Sequence, residues 1–168
     1  FDDAGEKLGT AKGDVEPGFQ SVTVNMSHPG FGTFPGMVLW AGRSRPIPAP
    51  PGKYQIRMTV HGVVQAKTFH LLIDPRLTDS EADLREQYAF SIQIVDRINA
   101  ANGAVMRIRD MKSQIDKAIT ESKNDATVAA QGNSLKDKLT AIEGEIYQYR
   151  SVSGEDPLNF PVKLNDKL

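Results

Sequence analysis

The stretch that decides the fold runs from Thr78 to Thr120 and reads TDSEADLREQYAFSIQIVDRINAANGAVMRIRDMKSQIDKAIT. It contains no proline and a single glycine, Gly103. Its apolar residues recur at alternating steps of three and four, which is the spacing of one face of a helix. That stripe consists of Ile94, Ile98, Ala101, Val105, Ile108, Ile115 and Ile119, and Lys112 is its one interruption. The pattern predicts one long helix of roughly 60 Å at 1.5 Å per residue.

The start of this helix carries a capping signature. Thr78 lies three residues before Glu81, so the hydroxyl and the carboxylate can each accept a hydrogen bond from the other residue's amide. Asp79, Glu81 and Asp83 add negative charge at the positive end of the helix dipole.

A second, shorter helix is predicted after a polar segment over residues 121–133. Its apolar residues follow the same helical spacing and are Leu135, Leu139, Ile142, Ile146 and Tyr149. Lys123-Asn124-Asp125 is the predicted loop, Asn133 or Ser134 the predicted cap, and Gly154 the predicted end. We therefore expect an antiparallel hairpin in which the two apolar stripes meet, with an apolar tail over residues 158–168 that packs.

The residues before the helices have the patterns of β-structure. Residues 54–60 alternate, His61-Gly62 is a turn signal, and residues 63–73 return, which predicts a hairpin. Residues 20–26 and 37–41 predict two further strands, and four prolines stiffen the crossing over residues 43–52. The expected core of this part is Val22, Val24, Trp40, Tyr54, Ile56, Met58 and Val60.

Together these patterns predict an α+β chain in two domains. Residues 1–75 would form a small antiparallel β-sandwich of the immunoglobulin or fibronectin-III type. Residues 76–168 would form the long antiparallel helical hairpin, and Asp74-Pro75-Arg76 would join the two.

Composition excludes several classes of function. The charges almost balance, with 20 basic and 21 acidic residues, so nothing favours nucleic acid. No apolar run approaches the roughly 20 residues that span a bilayer. Cysteine is absent, which excludes disulfides and thiolate metal sites.

No catalytic constellation stands out. The acids Asp79, Glu81, Asp83, Glu86, Glu143 and Glu145 lie on the predicted helices, where caps and a solvated face explain them. The same explanation covers the bases Arg97, Arg107, Arg109 and Lys112. His28, His61 and His70 are too dispersed for a metal pattern, so we expect neither a metal nor an organic cofactor. Three aromatic residues could form a sugar platform, with core packing as the competing interpretation: Trp40, Phe31 and Phe34.

Several segments resemble the region behind the β-propeller in large bacterial sortilin-like (Vps10-like, BNR-repeat) proteins, which are often labelled glycosyl hydrolases. In the first part of the chain these segments are residues 33–40, residues 50–60 and Asp74-Pro75-Arg76. In the helical part they are residues 80–84, Ile108-Arg109, Lys138-Leu139, Ile142-Glu143, residues 156–161 and residues 164–168. The resemblance covers most of the chain from Phe31 onward, and its motifs are structural rather than chemical.

The resemblance implies an exported, extracellular or periplasmic protein in which this region flanks a propeller. It also implies that a first strand precedes Phe1 and that a further helix follows Leu168. The propeller, which would carry any glycosidase carboxylates, is not in this chain.

Three functions follow as hypotheses. The first is a non-catalytic accessory region that packs against or spaces the propeller and mediates protein–protein contact. The second is a carbohydrate-binding module that uses Trp40 and its aromatic neighbours. The third is a glycoside hydrolase in its own right.

We also expect self-association. Two helices leave apolar flanks that the hairpin itself does not cover, so the partners would be the propeller, a second copy bound through the helices, or both. A two-fold dimer is the simplest such assembly.

Overall fold

A computed structural model shows a mixed α+β chain, as predicted, and describes residues 1–13, 18–40, 42–123 and 125–168. In chain order the strands are β1 (Ser27–His28), β2 (Ile47–Pro48), β3 (Gly52–Val60) and β4 (Val63–Leu71). The helices are α1 (Glu81–Glu121), α2 (Ala126–Ile146) and α3 (Leu164–Lys167), with a 3₁₀ turn at Asp156–Leu158. The strands form two small antiparallel sheets, β1–β2 and β3–β4.

The chain divides into two units. The first consists of residues 1–30 and 45–93, and the second of residues 31–44 and 94–168. The first part of α1 thus belongs to the β-containing unit, and the loop over residues 31–44 belongs to the helical unit. The predicted domain boundary at residues 75 and 76 stays a prediction.

The hairpin predicted from alternation is confirmed. β3 and β4 pair from Gly52↔Leu71 to Val60↔Val63. His61 and Gly62 close the turn with positive φ angles of 48° and 81°, the backbone that a two-residue hairpin turn requires. Phe1 lies beside β3, where its main chain donates to Gln55 O and accepts from Gln55 N, both at 2.9 Å.

The core of the first unit is small. Leu8, Ala49 and Tyr54 are buried together, and Met26, Phe69 and Leu71 pack against them. The Tyr54 hydroxyl donates to Pro50 O at 2.6 Å. Since Met26 and Ala49 adjoin β1 and β2, one apolar cluster serves both sheets.

The core predicted for residues 1–75 was wrong for most of its residues. Tyr54 alone is buried, whereas Val22, Val24, Trp40, Ile56, Met58 and Val60 are exposed. A two-stranded sheet can bury a residue only where something packs on its face, and here the packing stops near Tyr54.

Two predicted strands do not form over the described residues. Residues 20–26 are irregular, and the only strand residues nearby are Ser27 and His28. Residues 37–40 are also irregular, and Ala41 lies outside the described residues. Residues 2–5 form a turn, in which Gly5 N donates to Asp2 O.

The capping box exists two residues later than predicted. Ser80 N donates to Asp83 Oδ2 at 3.0 Å, and Asp83 N donates to Ser80 Oγ at 3.2 Å. The Ser80 hydroxyl, which donates to Asp83 Oδ2 at 2.6 Å, and the Ser80 amide together lower the pKa of Asp83. α1 therefore begins at Glu81 rather than at Thr78, and it passes Gly103 without a break.

The bounds predicted for the second helix were wrong at both ends. α2 begins earlier than predicted, at Ala126, because the alanine-rich residues 126–130 favour helix. Asp125 caps it by accepting hydrogen bonds from Thr127 N and Val128 N. At the other end α2 stops at Ile146, since Tyr147 is extended. The predicted loop is confirmed in place, although Asn124 lies outside the described residues.

The core of the second unit follows the α1 stripe. Ile98, Ala101, Val105 and Ile108 are buried on α1, and Leu139 is buried on α2. Gly132 lets the helices approach closely, because a Cβ there would lie 2.7 Å from Ile119 Cδ1. Leu135 and Ile142, which were expected inside this seam, are exposed.

Replacing Ile98 by Ala should lower the free energy of unfolding by about 2–5 kcal/mol, because the side chain is buried and its loss leaves a cavity. Urea denaturation followed by circular dichroism measures the change. The matched control is Val152→Ala, an exposed site in the same unit, where we expect a change within about 0.5 kcal/mol. A loss below that level for Ile98→Ala would place Ile98 outside the core.

Candidate interaction surface

The loop over residues 31–44 is held by side chains of the helical unit. Tyr147 Oη accepts from Val38 N at 3.0 Å and donates to Gly36 O at 3.1 Å. Asp166, on α3, accepts from Trp40 N at 2.7 Å and from Gly42 N at 3.2 Å. These contacts explain why residues 37–40 of the predicted strand are irregular, because side chains take amides that a neighbouring strand would have used.

Tyr147 is the centre of this arrangement. It is 2% exposed and meets Phe34 edge-on, with ring centroids 5.0 Å apart. The Arg109 guanidinium lies over the Phe34 ring at 4.8 Å and also donates to Pro35 O. The buried aromatic pair and this arginine thus hold the loop in addition to the hydrogen bonds to Asp166.

Asn102 and Asn165 extend the polar contacts between the loop and the tail. Asn102 Nδ2 donates to Gly32 O at 2.8 Å, and Asn165 Nδ2 donates to Asn102 Oδ1 at 3.1 Å. The expectation that the tail packs is met by these polar residues and by half-buried Phe160 and Val162, while Leu158 and Leu164 stay exposed.

A buried carboxylate links the two helices. Glu143 is 4% exposed, its Oε1 lies 3.0 Å from Arg109 Nε, and its Oε2 lies 2.7 Å from Lys112 Nζ. Burial of a carboxylate is tolerated when cations and hydrogen bonds compensate it. The interpretation of these three residues as a solvated face was therefore wrong, and the interruption of the stripe at Lys112 is the partner of a buried acid.

The structure does not assemble the three candidate sugar-contact aromatics into a platform. Phe34 is buried against Tyr147, Phe31 is half-buried, and Trp40 is 50% exposed. Within the described residues no ring contact joins Trp40 to either phenylalanine. Trp40 alone remains accessible to a ligand.

The first unit contains an open cleft of about 670 Å³. Its lining mixes acids and bases, including Asp2, Glu81, Arg85 and His70, with Tyr54 and Tyr88. Burial raises the pKa of both tyrosines above the ordinary tyrosine value of about 10. Both phenols therefore stay protonated at neutral pH. Tyr54 already uses its proton on Pro50 O, which makes it a structural donor.

Two features are absent from the described ranges of the chain. These residues bring together no group of three or more His, Cys, Asp or Glu side chains that could hold a metal ion. They also contain no helix that is both long and apolar enough to cross a bilayer.

The feature that best suits contact with another molecule is an apolar face of the helical hairpin, which we call the open face. On α2 it presents Leu135 and Ile142, which is 54% exposed. On α1 it presents Met111 and half-buried Ile115, with the small residues Ala104 and Ala118 on either side. The 31–44 loop covers the other edge of the hairpin, where Arg109 contacts Pro35 O.

The sequence contained a signal for the open face that the stripe analysis did not use. Val128, Leu135 and Ile142 are spaced by seven residues, which keeps them on one line of α2. Comparisons with protein-family models, curated proteins and solved structures found no match to this chain.

Proposed function

We propose that this chain is a non-catalytic accessory region of an exported bacterial sortilin-like β-propeller protein, where it packs against or spaces the propeller and mediates protein–protein contact. The observation that carries the proposal is the open face. Its large apolar residues Met111, Leu135 and Ile142 stay exposed on a hairpin whose other edge is sealed. Contiguous exposed apolar surface of this kind is typical of protein-binding sites.

The β-containing unit is proposed to be part of an immunoglobulin-like domain. Two small antiparallel sheets share one apolar cluster, which is how the two layers of a sandwich are joined. Phe1 pairs with Gln55 on the edge of β3 that faces away from β4, as a third strand of the same sheet would.

The experiment is to read the gene that encodes this chain and to express the region ahead of residue 1 and residues 1–168 as two separate polypeptides. We expect a propeller in that region and co-elution of the two polypeptides on size exclusion. A gene without a propeller would contradict the proposal, as would a propeller that elutes apart from the chain.

The alternative function is a carbohydrate-binding module, and the half-exposed Trp40 is the observation that favours it. Because Trp40 is the only tryptophan in the chain, its fluorescence reports directly on a sugar stacked on the indole. On the accessory-region proposal, cello-, chito- and maltohexaose up to millimolar concentrations leave the emission unchanged. A saturable shift of the emission would favour the carbohydrate module instead. Because Trp40→Ala removes the fluorophore, calorimetry measures whether that folded variant has lost sugar binding.

A further inference from the structure

The open face has the symmetry of a surface that binds itself. We propose that it pairs with the open face of a second copy of this chain, forming a two-fold, four-helix contact in which α1 lies antiparallel to α1 and α2 to α2. This rests on the proposed function and names one partner for the same surface.

Two exposed residues lie level with each other at the centre of the face. Met111 precedes Lys112, Ile142 precedes Glu143, and Lys112 Nζ lies 2.7 Å from Glu143 Oε2. The ion pair therefore sets Met111 and Ile142 side by side across the hairpin. A two-fold axis that runs across the two helices through Met111 and Ile142 would bring each of these residues against the same residue of the second copy.

The residues around this centre are self-complementary on α1. Ala104 and Ala118 lie seven residues before and seven residues after Met111. In an antiparallel pair of α1 helices centred on Met111, Ala104 of one copy meets Ala118 of the other. Small residues on both sides of a large one allow the two helices to approach closely around interdigitated methionines.

On α2 the exposed apolar residue Leu135 lies seven residues before Ile142. In an antiparallel pair centred on Ile142, each Leu135 therefore reaches the C-terminal end of the second copy's α2, which ends at Ile146.

The charges at the rim of the face complement themselves across the same axis. Lys138 lies four residues before Ile142 and Glu145 three residues after it, so each Lys138 lies within about 1.5 Å of the level of the second copy's Glu145 along the helix. Both residues are exposed. The Glu145 side chain is 83% exposed, and its contact within the chain is with Lys163 Nζ at 3.6 Å. The pattern of opposite charges selects the antiparallel arrangement, because a parallel one would place like charges together.

The size of the face sets the expected strength. Residues 104–118 span about 20 Å of α1, and residues 135–146 span about 17 Å of α2. Two helices side by side are roughly 20 Å wide. This places the contact at the small end of specific interfaces, so we expect a dimer that dissociates in the micromolar range.

Charge reversal tests the register, with dissociation constants measured by sedimentation equilibrium. Lys138→Glu and Glu145→Lys should each weaken the dimer about tenfold, since each creates two like-charge contacts per dimer. The double variant should return to within about threefold of the original dimer, because it restores both pairs. Asp137→Lys is the matched control on the far side of α2, and it should leave the dissociation constant unchanged.

Crosslinking tests the axis. The chain contains no cysteine, so Ile142→Cys introduces a single thiol at the proposed two-fold. Mild oxidation should give a covalent dimer, because a disulfide needs Cα atoms within about 7 Å, whereas Asp137→Cys should stay single.

A chain that remains single at every concentration would overturn the proposal, as would a double charge variant as weak as the single variants. Equal crosslinking of Ile142→Cys and Asp137→Cys would also overturn it. Co-elution with the propeller is a separate readout, so the proposed function and the self-pairing can fail independently.

Discussion

Replacing Tyr147 by Ala should lower the free energy of unfolding by about 3–5 kcal/mol, the largest effect we expect from one substitution. The ring is almost fully buried and packs edge-on against Phe34, and its hydroxyl binds the main chain at Gly36 and Val38. Loss of the ring leaves a cavity and frees the 31–44 loop at once. Urea denaturation followed by Trp40 fluorescence reports on this unit, because Trp40 lies in that loop.

Tyr147→Phe measures the contribution of the hydroxyl to stability separately from that of the ring. It keeps the packing but leaves the Val38 amide without its acceptor, so we expect a loss of about 1–3 kcal/mol. If Tyr147→Ala cost no more than Tyr147→Phe, the ring would not be packed as described.

Replacing Glu143 by Ala should cost about 3 kcal/mol, because it leaves Arg109 and Lys112 without the carboxylate that compensates their burial. Their side chains are 34% and 19% exposed, and this remaining contact with water keeps the effect at the low end for buried ion pairs. The measurement is the same urea titration.

Asp137→Ala is the control six residues away on α2. Its side chain is exposed on the far side of α2, so we expect a change within about 0.5 kcal/mol. An equal loss in both variants would mean that Glu143 is solvated, as the sequence had suggested.

The elements with strong periodicity were predictable from the sequence. The α1 stripe repeats at helical spacing, and residues 54–60 alternate at strand spacing. In both segments the local pattern therefore agrees with the tertiary structure. The hairpin turn at His61-Gly62 was predictable for the same reason, since glycine tolerates the positive φ that the turn imposes.

The failures occur where tertiary contacts override local pattern. Residues 37–40 form a short apolar run that is typical of a strand, but Tyr147 and Asp166 bind the amides of Val38 and Trp40. Glu143 and Lys112 each look like a solvated charge, and only the distance between their side chains shows that they compensate each other. Neither relation is visible along the chain, because both join residues more than 30 positions apart.

The candidate surface was only partly predictable. Excess apolar residues on the helices predicted that something must cover the hairpin, and the exposed residues of the open face agree with that expectation. The sequence did not show which edge stays open, because the sealed edge is set by the 31–44 loop, whose predicted strand does not form.

The most direct test of the open face as an interaction surface is sedimentation velocity over a hundredfold range of concentration. For the unmodified chain we predict a mass that rises from one chain towards two, and for Ile142→Lys a mass of one chain throughout, since a lysine at the axis would be buried without a partner. A mass of one chain at every concentration for the unmodified protein would contradict self-pairing through this face.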